Sequence, residues 1–248
     1  MPHPPGNQPN FDRLARPYRW LEYLTLGRAL ERCRLYLLPQ LTDRTQALVL
    51  GDGDGRFLAR LLQQNPSLHA DAVDTSSAML HLLHHRCQNA APTSQTRLRL
   101  HHTDALAFVS LPVAVPYDLV VTHFFLDCLT QQQVEDLVAA TTQNLTPGAL
   151  WLVSDFRIPR GPMRLPAKAL VRGLYFAFRI LTGLRITHLP GHSGTLERNR
   201  FSRLSGHTSL AGLLRTELWI FNPAHPETAS STRLTSAPEA PSAPASGL

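Results

Sequence analysis

The stretch ALVLGDGDGRFL, residues 47–58, decides the fold of this chain. Its apolar start predicts a buried strand, its three alternating glycines predict a tight turn, and the residues after them predict a helix. A second apolar run, AVDTSSAML at 72–80, carries Asp74 where its strand is expected to end. A strand, a glycine turn, a helix and a second strand ending in an acid describe a nucleotide-cofactor site on a doubly wound sheet.

Strands and helices alternate along most of the chain, which favours an α/β fold with right-handed crossovers. The strands are expected at 47–50, 69–73, 97–101, 117–122, 149–154, 209–213 and 216–221. The helices are expected at 56–64, 76–88, 131–145 and 165–181, with Thr75 or Ser76 near an N-cap and a turn at Pro147-Gly148. The fold class is therefore a doubly wound, mostly parallel seven-stranded sheet with an antiparallel last strand and N-terminal cover helices.

A single domain is expected over residues 11–221, with a helical cover at 11–41 and a basic lid or insert at 156–203. Residues 1–10 are rich in proline, and residues 222–248 are rich in proline, serine and alanine. Segments of that composition bury too little apolar surface to offset the entropy of ordering. We therefore expect both ends to be disordered.

The composition limits which kinds of protein this chain can be. The chain has 248 residues, of which 43% are hydrophobic, enough for one sizeable core. Its three cysteines are widely spaced and form neither a metal-ligand pattern nor a disulfide framework, which indicates a reducing compartment. The N-terminus lacks the apolar region of a signal peptide, and no apolar run reaches the length of a membrane span. A cytoplasmic location is expected.

One segment creates the net charge of +6. Residues 156–203 hold ten basic side chains and a single acid, Glu197, whereas the rest of the chain holds 14 basic and 17 acidic residues. The helix expected at 165–181 carries basic residues at helical spacing beside a separate apolar face. Such a helix can lie on an anionic membrane surface or cover a hydrophobic acceptor, and a solvated arginine-rich surface is an equally good interpretation.

The acids inside the glycine turn bear on which ligand it holds. Asp52 and Asp54 would repel bound phosphates by about 1 kcal/mol or more each in a partly shielded site. Arg56 also stands where a dinucleotide-binding turn has its third glycine. A cationic ligand without phosphate, such as S-adenosylmethionine with its sulfonium and ammonium groups, fits an acidic turn better.

These residues resemble those of the class I, Rossmann-like methyltransferases that use S-adenosylmethionine. Gly51, Gly53 and Gly55 match the first motif of that family, and VDTSSAML at 73–80 matches its acidic ribose motif. HHTDALAF at 101–108 resembles the adenine-edge motif. The resemblance implies a cofactor site formed by Gly51, Asp52, Gly53, Gly55, Asp74, Thr75, Met79, Asp104, Ala105 and Thr122. Val49 departs from the pattern because the family usually has an acid there, a role that Asp52 is expected to take over.

Two further stretches resemble the acceptor side of the same family. YDLVVTHFFLDCL at 117–129 is similar to its fourth strand, and LTPGALWLVSDF at 145–156 to its fifth. The opening FDRLARPY at 11–18 is similar to that of the ubiquinone- and menaquinone-type enzymes, whose N-terminal helices cover the site. This implies a small, hydrophobic or lipid-like substrate near Tyr18, Phe124, Phe125 and Asp127, with His123 as the candidate general base.

Other interpretations of the same residues remain open. Val49 would allow a non-catalytic, cofactor-binding scaffold with a degenerate methyltransferase fold. His81 and His85 share a helical face, but no cysteine or acid completes a metal set, so no metal is expected. A nicotinamide oxidoreductase is disfavoured by Arg56 and the acidic turn. Nucleic acid is not an expected substrate because the fourth strand is not followed by the Asn/Asp-Pro-Pro-aromatic run of amino-methylating nucleic-acid enzymes.

Overall fold

The computed structural model describes residues 26–182 and 190–223, with the backbone alone described over 174–182. The helices in these residues are α1 (Gly27–Leu35), α2 (Arg56–Gln64), α3 (Ser77–Ala90), α4 (Ala105–Val109), α5 (Gln131–Thr142), α6 (Arg164–Thr182) and α7 (His192–Arg198). The strands are β1 (Gln46–Leu50), β2 (His69–Asp74), β3 (Leu98–His102), β4 (Tyr117–His123), β5 (Leu145–Phe156), β6 (Phe201–Ser209) and β7 (Leu214–Phe221). Short 3-10 helices lie at Leu38–Leu41, Pro92–Thr96, Leu126–Cys128 and Leu210–Gly212.

The strands form one seven-stranded sheet in the order β3-β2-β1-β4-β5-β7-β6. β1 to β5 pair in parallel, and β7 runs antiparallel between β5 and β6. The order reverses between β1 and β4, so the carboxyl ends of these two strands border the crevice where open α/β sheets bind ligands. The predicted fold class, with its mostly parallel sheet and antiparallel last strand, is confirmed.

Helices cover both faces of the sheet. On one face, Phe57 of α2 and Leu83 of α3 pack with Val49 in a single buried cluster. On the other face, Leu137 of α5 packs with Trp151 of β5. Strands buried on both faces read as nearly continuous apolar runs, which is why β1 and β4 are recognisable in the sequence.

The last two strands differ from the prediction. A strand expected at 209–213 is wrong, because Leu210 and Ala211 have φ angles of +51° and +52° and the chain turns there. The strand that precedes this turn, β6, was missed. Its sequence FSRLSGHTS is largely polar since it is an edge strand with most side chains at least partly exposed. An edge strand of this kind gives little hydrophobic signal.

The Pro147-Gly148 turn is also a correction. β5 begins at Leu145 and continues through both residues, with an irregularity in its pairing to β4. Tyr117 pairs with Leu145 and Leu119 with Leu150, so β5 bulges between these partners. Gly148 lies in this bulge with a φ of +78°, where the missing Cβ relieves the strain of a left-handed backbone.

One predicted helix is shorter in the structure, and one predicted segment is described only in part. The helix expected at 131–145 ends at Thr142, because the following residues begin β5. The cover expected at 11–41 is described only from Leu26, and there it is α1 followed by the 3-10 helix at Leu38–Leu41. Residues 1–25 and 224–248 lie outside the described chain. Asn222, the first residue of the tail that was expected to be disordered, is held in the fold. Its backbone N–H donates to the carbonyl of Arg200 over 2.9 Å.

Candidate functional site

The glycine turn leaves the carboxyl end of β1 at the centre of the sheet. Gly51, Gly53 and Gly55 all have left-handed backbones, with φ angles of +66°, +60° and +77°. Residues with a side chain rarely adopt this conformation, so the three glycines explain why the chain can turn here. Gly55 is the N-cap of α2, whose first N–H groups therefore point back toward the turn.

The three glycines are not equivalent. A Cβ on Gly51 would lie 2.5 Å from the ring of Phe125, and one on Gly55 would lie 2.8 Å from the Cα of Leu83. These two positions need glycine because the protein packs against them. A Cβ on Gly53 would meet no atom within 4 Å. The space beside Gly53 is therefore open to a ligand that approaches the backbone closely.

Asp52 is directed toward the protein. Its carboxylate accepts the backbone N–H of Leu58 over 3.0 Å, which satisfies one N–H group in the first turn of α2. Burial is the main reason that the pKa of Asp52 is raised to about 7. The nearby α2 N-terminus favours its ionised form, so the side chain fixes the turn to the helix.

Asp54 is held by two arginines. Its carboxylate lies 3.2 Å from Nε of Arg56 and 2.8 Å from Nη2 of Arg86, and Arg86 also donates to the Asp54 carbonyl over 2.8 Å. Both acids were expected to lie near a cationic ligand. In the structure, one Asp52 oxygen accepts from α2 and the other, Oδ1, is buried without a hydrogen-bond partner among the described residues, whereas Asp54 is paired with two arginines.

Asp74 ends β2, beside β1, at the same edge of the sheet. The carboxylate is partly exposed and accepts the backbone N–H of Ser76 over 2.8 Å. Ser76 is the N-cap of α3, as the sequence predicted, and accepts the backbone N–H of Met79. Met79 is buried, whereas Thr75 is partly exposed and its carbonyl accepts from His102 over 3.0 Å.

Asp104 follows β3, the next strand outward. Its side chain caps α4 by accepting the backbone N–H of Ala107 over 3.1 Å, and Ala105 is buried behind it. Asp74 and Asp104 thus end or follow neighbouring strands, and His102 pairs with Asp74 in the sheet register. The structure brings the residues of the two predicted motifs to one edge of the sheet.

Thr122 and His123 end β4 in the interior. The hydroxyl of Thr122 accepts the indole N–H of Trp151 over 3.1 Å and is used within the fold. The ring of His123 is buried against Phe57, with ring centroids 4.4 Å apart. Burial, and secondarily the charge of Arg34, holds the pKa of His123 well below its usual value, so this imidazole is neutral at physiological pH.

The two phenylalanines after β4 have separate neighbours. Phe124 has a φ of +52°, and the Arg34 guanidinium from α1 lies 5.1 Å from its ring centroid. Phe125 lies on the glycine turn through its contact with Gly51. A left-handed backbone at a bulky residue is a strained conformation of the kind that concentrates at functional sites.

Asp127 comes next, in the 3-10 helix after β4, and Asp155 stands near the end of β5. Both side chains are buried, and the backbone N–H of Asp127 donates to the Asp155 carboxylate. Burial raises the pKa of Asp127 to about 6, and burial together with the charge of Asp127 raises the pKa of Asp155 well above its usual value. Asp127 was a predicted site residue, whereas Asp155 was missed although it stands in the quoted motif VSDF.

A histidine and two arginines extend this cluster. His192, the first residue of α7, has Nδ1 3.5 Å from Asp155 and Nε2 3.3 Å from Glu217. Arg215 Nη2 lies 2.9 Å from the same Nε2, and Arg203 Nη1 donates to Glu217 over 2.9 Å. No local sequence signal marks these residues, because they come from α7, β6 and β7.

The remaining predictions about the site fall partly outside the described residues. Tyr18, which was predicted to lie near the acceptor together with Phe124, Phe125 and Asp127, is outside the described residues. The side chains in the second half of the basic helix are also outside them. Within 26–182 and 190–223, no group of three or more histidine, cysteine or acidic side chains is placed to hold a metal ion. None of the helices in those ranges is long and apolar enough to cross a membrane.

Comparisons with known proteins agree with this geometry. A family model described as a methyltransferase domain matches residues 48–151, from β1 into β5. The N-methyltransferase NodS from Bradyrhizobium japonicum WM9 has a TM-score of 0.54 and 13% identity over 81% of this chain and 99% of its own. The magnesium protoporphyrin IX methyltransferase ChlM from Synechocystis PCC 6803, solved with bound SAH, has a TM-score of 0.58 and 13% identity over 86% of this chain and 94% of its own.

Another similar structure is longer than this chain. An O-methyltransferase family 2 protein from Planctomyces limnophilus DSM 3776, in complex with apigenin, has a TM-score of 0.60 and 21% identity. The match covers 84% of this chain and 62% of that protein. No curated protein sequence matches this chain significantly. Residues 48–151 thus match a methyltransferase-domain family, and the chain has the seven-stranded α/β fold of the class I methyltransferases.

Proposed function

We propose that this protein transfers a methyl group from S-adenosylmethionine to a small-molecule acceptor. The single observation that carries the proposal is the glycine turn at the carboxyl end of β1. There the backbone of Gly53 borders open space, beside the strand that ends in Asp74. Ligands bind at this crevice in open α/β sheets, and an acid at the end of the second strand is placed to accept from ribose hydroxyls.

The residues present fit each part of this methyl donor. Asp74 and Thr75 are proposed to contact the ribose, and Met79, Asp104 and Ala105 to border the adenine. Gly51, Gly53 and Gly55 let the methionine end approach the turn. Asp52 and Thr122 are proposed to shape this site from behind, since the Asp52 carboxylate binds α2 and the Thr122 hydroxyl accepts from Trp151. When bound, the donor supplies a methyl group on a positively charged sulfur.

The acceptor is proposed to be small and hydrophobic or lipid-like. Phe124 and Phe125 are half-buried where the chain leaves β4, and both offer aromatic surface at the crevice. Similar structures carry flat, largely apolar ligands or substrates by name, such as apigenin and magnesium protoporphyrin IX. Tyr18 is proposed to complete this side, because the N-terminus resembles that of the ubiquinone-type enzymes, whose N-terminal helices cover the site. His123 is proposed to support the pocket by packing, because it is buried and neutral.

Association with an anionic membrane surface is a second proposal, supported by the start of α6. Arg160 and Arg164 are exposed, and Met163 and Leu165 are 45% and 77% exposed between and beside them. The opposite side of the helix is anchored, since Val171 packs with α1 and β7. Basic side chains around protruding apolar ones suit the charged headgroups and acyl chains of an anionic bilayer. The protein would then be cytoplasmic and peripheral to the membrane.

Methyl-labelled S-adenosylmethionine incubated with the protein and a cell extract tests the methyl transfer. Separation into lipid, small-molecule and macromolecular fractions then locates the label. We expect label in the lipid or apolar small-molecule fraction, and none when Gly53→Val fills the space for the donor. Label in protein or nucleic acid would contradict the acceptor class. Donor binding without transfer to any fraction would favour the cofactor-binding scaffold.

A further inference from the structure

Asp127 and Asp155 form a buried pair of carboxyl groups at the carboxyl ends of β4 and β5. Their side chains belong to residues only 5% and 3% exposed, and Asp155 accepts the backbone N–H of Asp127. One oxygen of Asp155, Oδ1, is buried without a hydrogen-bond partner among the described residues. A buried carboxyl oxygen left in this way is costly for the fold, which is a reason to look for a functional use.

The pair lies near the proposed donor site, because Asp127 closely follows Phe125, whose ring lies against Gly51 of the glycine turn. The Cys128 thiol donates to Asp127 Oδ1 over 3.5 Å. The pKa of Cys128 is raised by burial and then by the negative charges of Asp127, Asp155 and Asp74. The thiol of Cys128 therefore lies in contact with the carboxyl pair through Asp127. The cysteine as a residue is partly exposed.

His192 holds Asp155 from the other side. Arg215 has only donors and lies 2.9 Å from Nε2 of His192, which favours the tautomer with the ring proton on Nδ1, although Glu217 lies 3.3 Å from the same Nε2. That nitrogen faces Asp155 Oδ2 at 3.5 Å. Burial lowers the pKa of His192, which agrees with a neutral ring in this position. The ring therefore lies beside one Asp155 oxygen, Oδ2, and not beside Oδ1.

We propose that Asp127 and Asp155 act as one proton-accepting pair for a hydroxyl or amine acceptor during its methylation. For a hydroxyl, an O–C bond forms to the methyl group while the C–S bond of the donor breaks and leaves its electron pair on sulfur. The O–H bond breaks, and its proton passes to the Asp127 carboxylate while Asp155 stays protonated as its partner. The proton returns to solvent after the product leaves. This inference rests on the proposed function and names the acceptor's reacting group.

The charges around the pair suit this role. Two carboxyl groups that share one buried site do not both ionise readily, so the pair retains a proton at neutral pH. The titratable and charged groups that face it come from every neighbouring element, and they are Cys33 of α1, Asp74 of β2, Cys128, His192 of α7, and Arg215 and Glu217 of β7. Glu217 is paired with Arg203 and Arg215, and Arg215 also acts on Asp155. A pair that retains one proton carries one negative charge.

Calorimetric titrations with S-adenosylmethionine and S-adenosylhomocysteine at pH 6 test the pair without an acceptor. Repeating each titration in buffers of different ionisation enthalpy counts the protons exchanged. The two ligands differ by one methyl group and one positive charge. That positive charge favours the ionised form of the carboxyl pair. The protein should therefore release more protons when it binds S-adenosylmethionine than when it binds S-adenosylhomocysteine. The excess should vanish in Asp127→Asn and in Asp155→Asn, and either variant alone suffices if the other does not fold.

Asp71→Asn is the matched control, because Asp71 is equally buried but hydrogen-bonded to Arg99, His101 and Tyr117 within the sheet. Its pKa is lowered, so it is ionised at pH 6 and should leave the proton excess intact. Equal proton counts for the two ligands, or an excess that persists in Asp127→Asn, would overturn the proposal that Asp127 and Asp155 accept the proton. Absence of binding by both ligands would instead refute the proposed function on which the pair depends.

The labelled-methyl assay provides the second readout. Asp127→Asn should lower transfer to the acceptor found there by about 100-fold, the usual contribution of a general base. Its affinity for S-adenosylhomocysteine should stay within about threefold of wild type, because the carboxamide keeps the shape of the side chain. Undiminished transfer by Asp127→Asn would also overturn the proposal.

Discussion

Gly53 and Gly148 both have a left-handed backbone, but Gly53 follows the carboxyl end of β1 and Gly148 lies near the amino end of β5. Both have positive φ angles and open space where a Cβ would stand. Alanine at either position should cost about 1 kcal/mol of folding free energy because of the left-handed backbone. Only Gly53→Ala places a methyl group in the proposed donor site. We expect it to weaken S-adenosylhomocysteine binding at least tenfold by calorimetry.

Gly148→Ala is the control for strain alone. It should lower the free energy of unfolding by a similar amount and leave the ligand affinity unchanged. If the two variants had equal affinities, the open space beside Gly53 would not be where the donor binds.

Asp52 gives a prediction about pH. Its pKa is raised to about 7 in the folded protein, above its value near 4 in an unfolded chain. Its contribution to stability is therefore complete below pH 4 and is lost as the pH rises to about 7. Asn at this position keeps an oxygen for the Leu58 N–H but carries no charge.

Denaturant unfolding of wild type and Asp52→Asn between pH 4 and pH 8 measures this difference. Wild type should lose about 2 to 4 kcal/mol relative to the variant over that range, from about 1.4 kcal/mol for each pKa unit. A stability difference that does not change with pH would contradict a buried, weakly ionised Asp52. The affinity for S-adenosylhomocysteine should change less than threefold, since the carboxylate faces α2.

At the scale of elements, helix α3 braces the glycine turn. Arg86, on α3, donates to both the carbonyl and the carboxylate of Asp54. Arg86→Gln removes these charged hydrogen bonds, so the turn should loosen and ligand affinity should fall about fivefold, equivalent to about 1 kcal/mol.

Arg60→Gln is the matched control because Arg60 is exposed and hydrogen-bonds to Gln63 on its own helix. It should leave binding unchanged when both variants are titrated with S-adenosylhomocysteine. An Arg86→Gln protein that binds as well as Arg60→Gln would show that the turn keeps its shape without α3.

Elements with a strong local signal could be predicted closely. The helix at 56–64 has the predicted bounds, because a glycine turn precedes it and its apolar residues recur at helical spacing. The cap at Ser76 was predicted from its hydroxyl side chain and its position after a strand. β6 and the bulge in β5 could not be predicted, since the first is stabilised by pairing with β7 and the second by pairing with β4.

The residues of the candidate site also divide into those that the sequence could predict and those that it could not. Asp74 could be found because it ends an apolar strand shortly before a helix, and Asp104 because its surroundings resemble a family motif. The orientation of Asp52 and Asp54 could not, because their partners are a backbone N–H of α2 and an arginine of α3. The pairing of Asp127 with Asp155 joins residues from separate strands, and His192 and Glu217 meet them only in three dimensions.

At the scale of the whole molecule, the positive charge is concentrated on one segment. Reversing two exposed charges, in Arg160→Glu/Arg164→Glu, should weaken binding to phosphatidylglycerol-containing vesicles at least tenfold, since each basic group near an anionic surface contributes about 1 kcal/mol. Sedimentation with the vesicles measures this binding. Binding of the wild type should also fall in 0.5 M salt, because the Debye length then lies between about 3 and 10 Å and the charges are screened. Arg60→Glu, on α2, is the control. Vesicle binding that is absent, or unaffected by the double variant, would contradict the membrane proposal.

The most direct test of the account is a calorimetric titration of the whole chain with S-adenosylhomocysteine, with NADH titrated in parallel. Asp74→Asn keeps an oxygen for the Ser76 N–H but removes the charge proposed to face the ribose, and Asp43→Asn alters an exposed acid paired with Arg44. We predict one-to-one binding of S-adenosylhomocysteine by wild type and Asp43→Asn, binding at least tenfold weaker by Asp74→Asn, and no binding of NADH. Binding of NADH in place of S-adenosylhomocysteine, or equal affinities in all three proteins, would contradict a methyl-donor site at the end of β1 and β2.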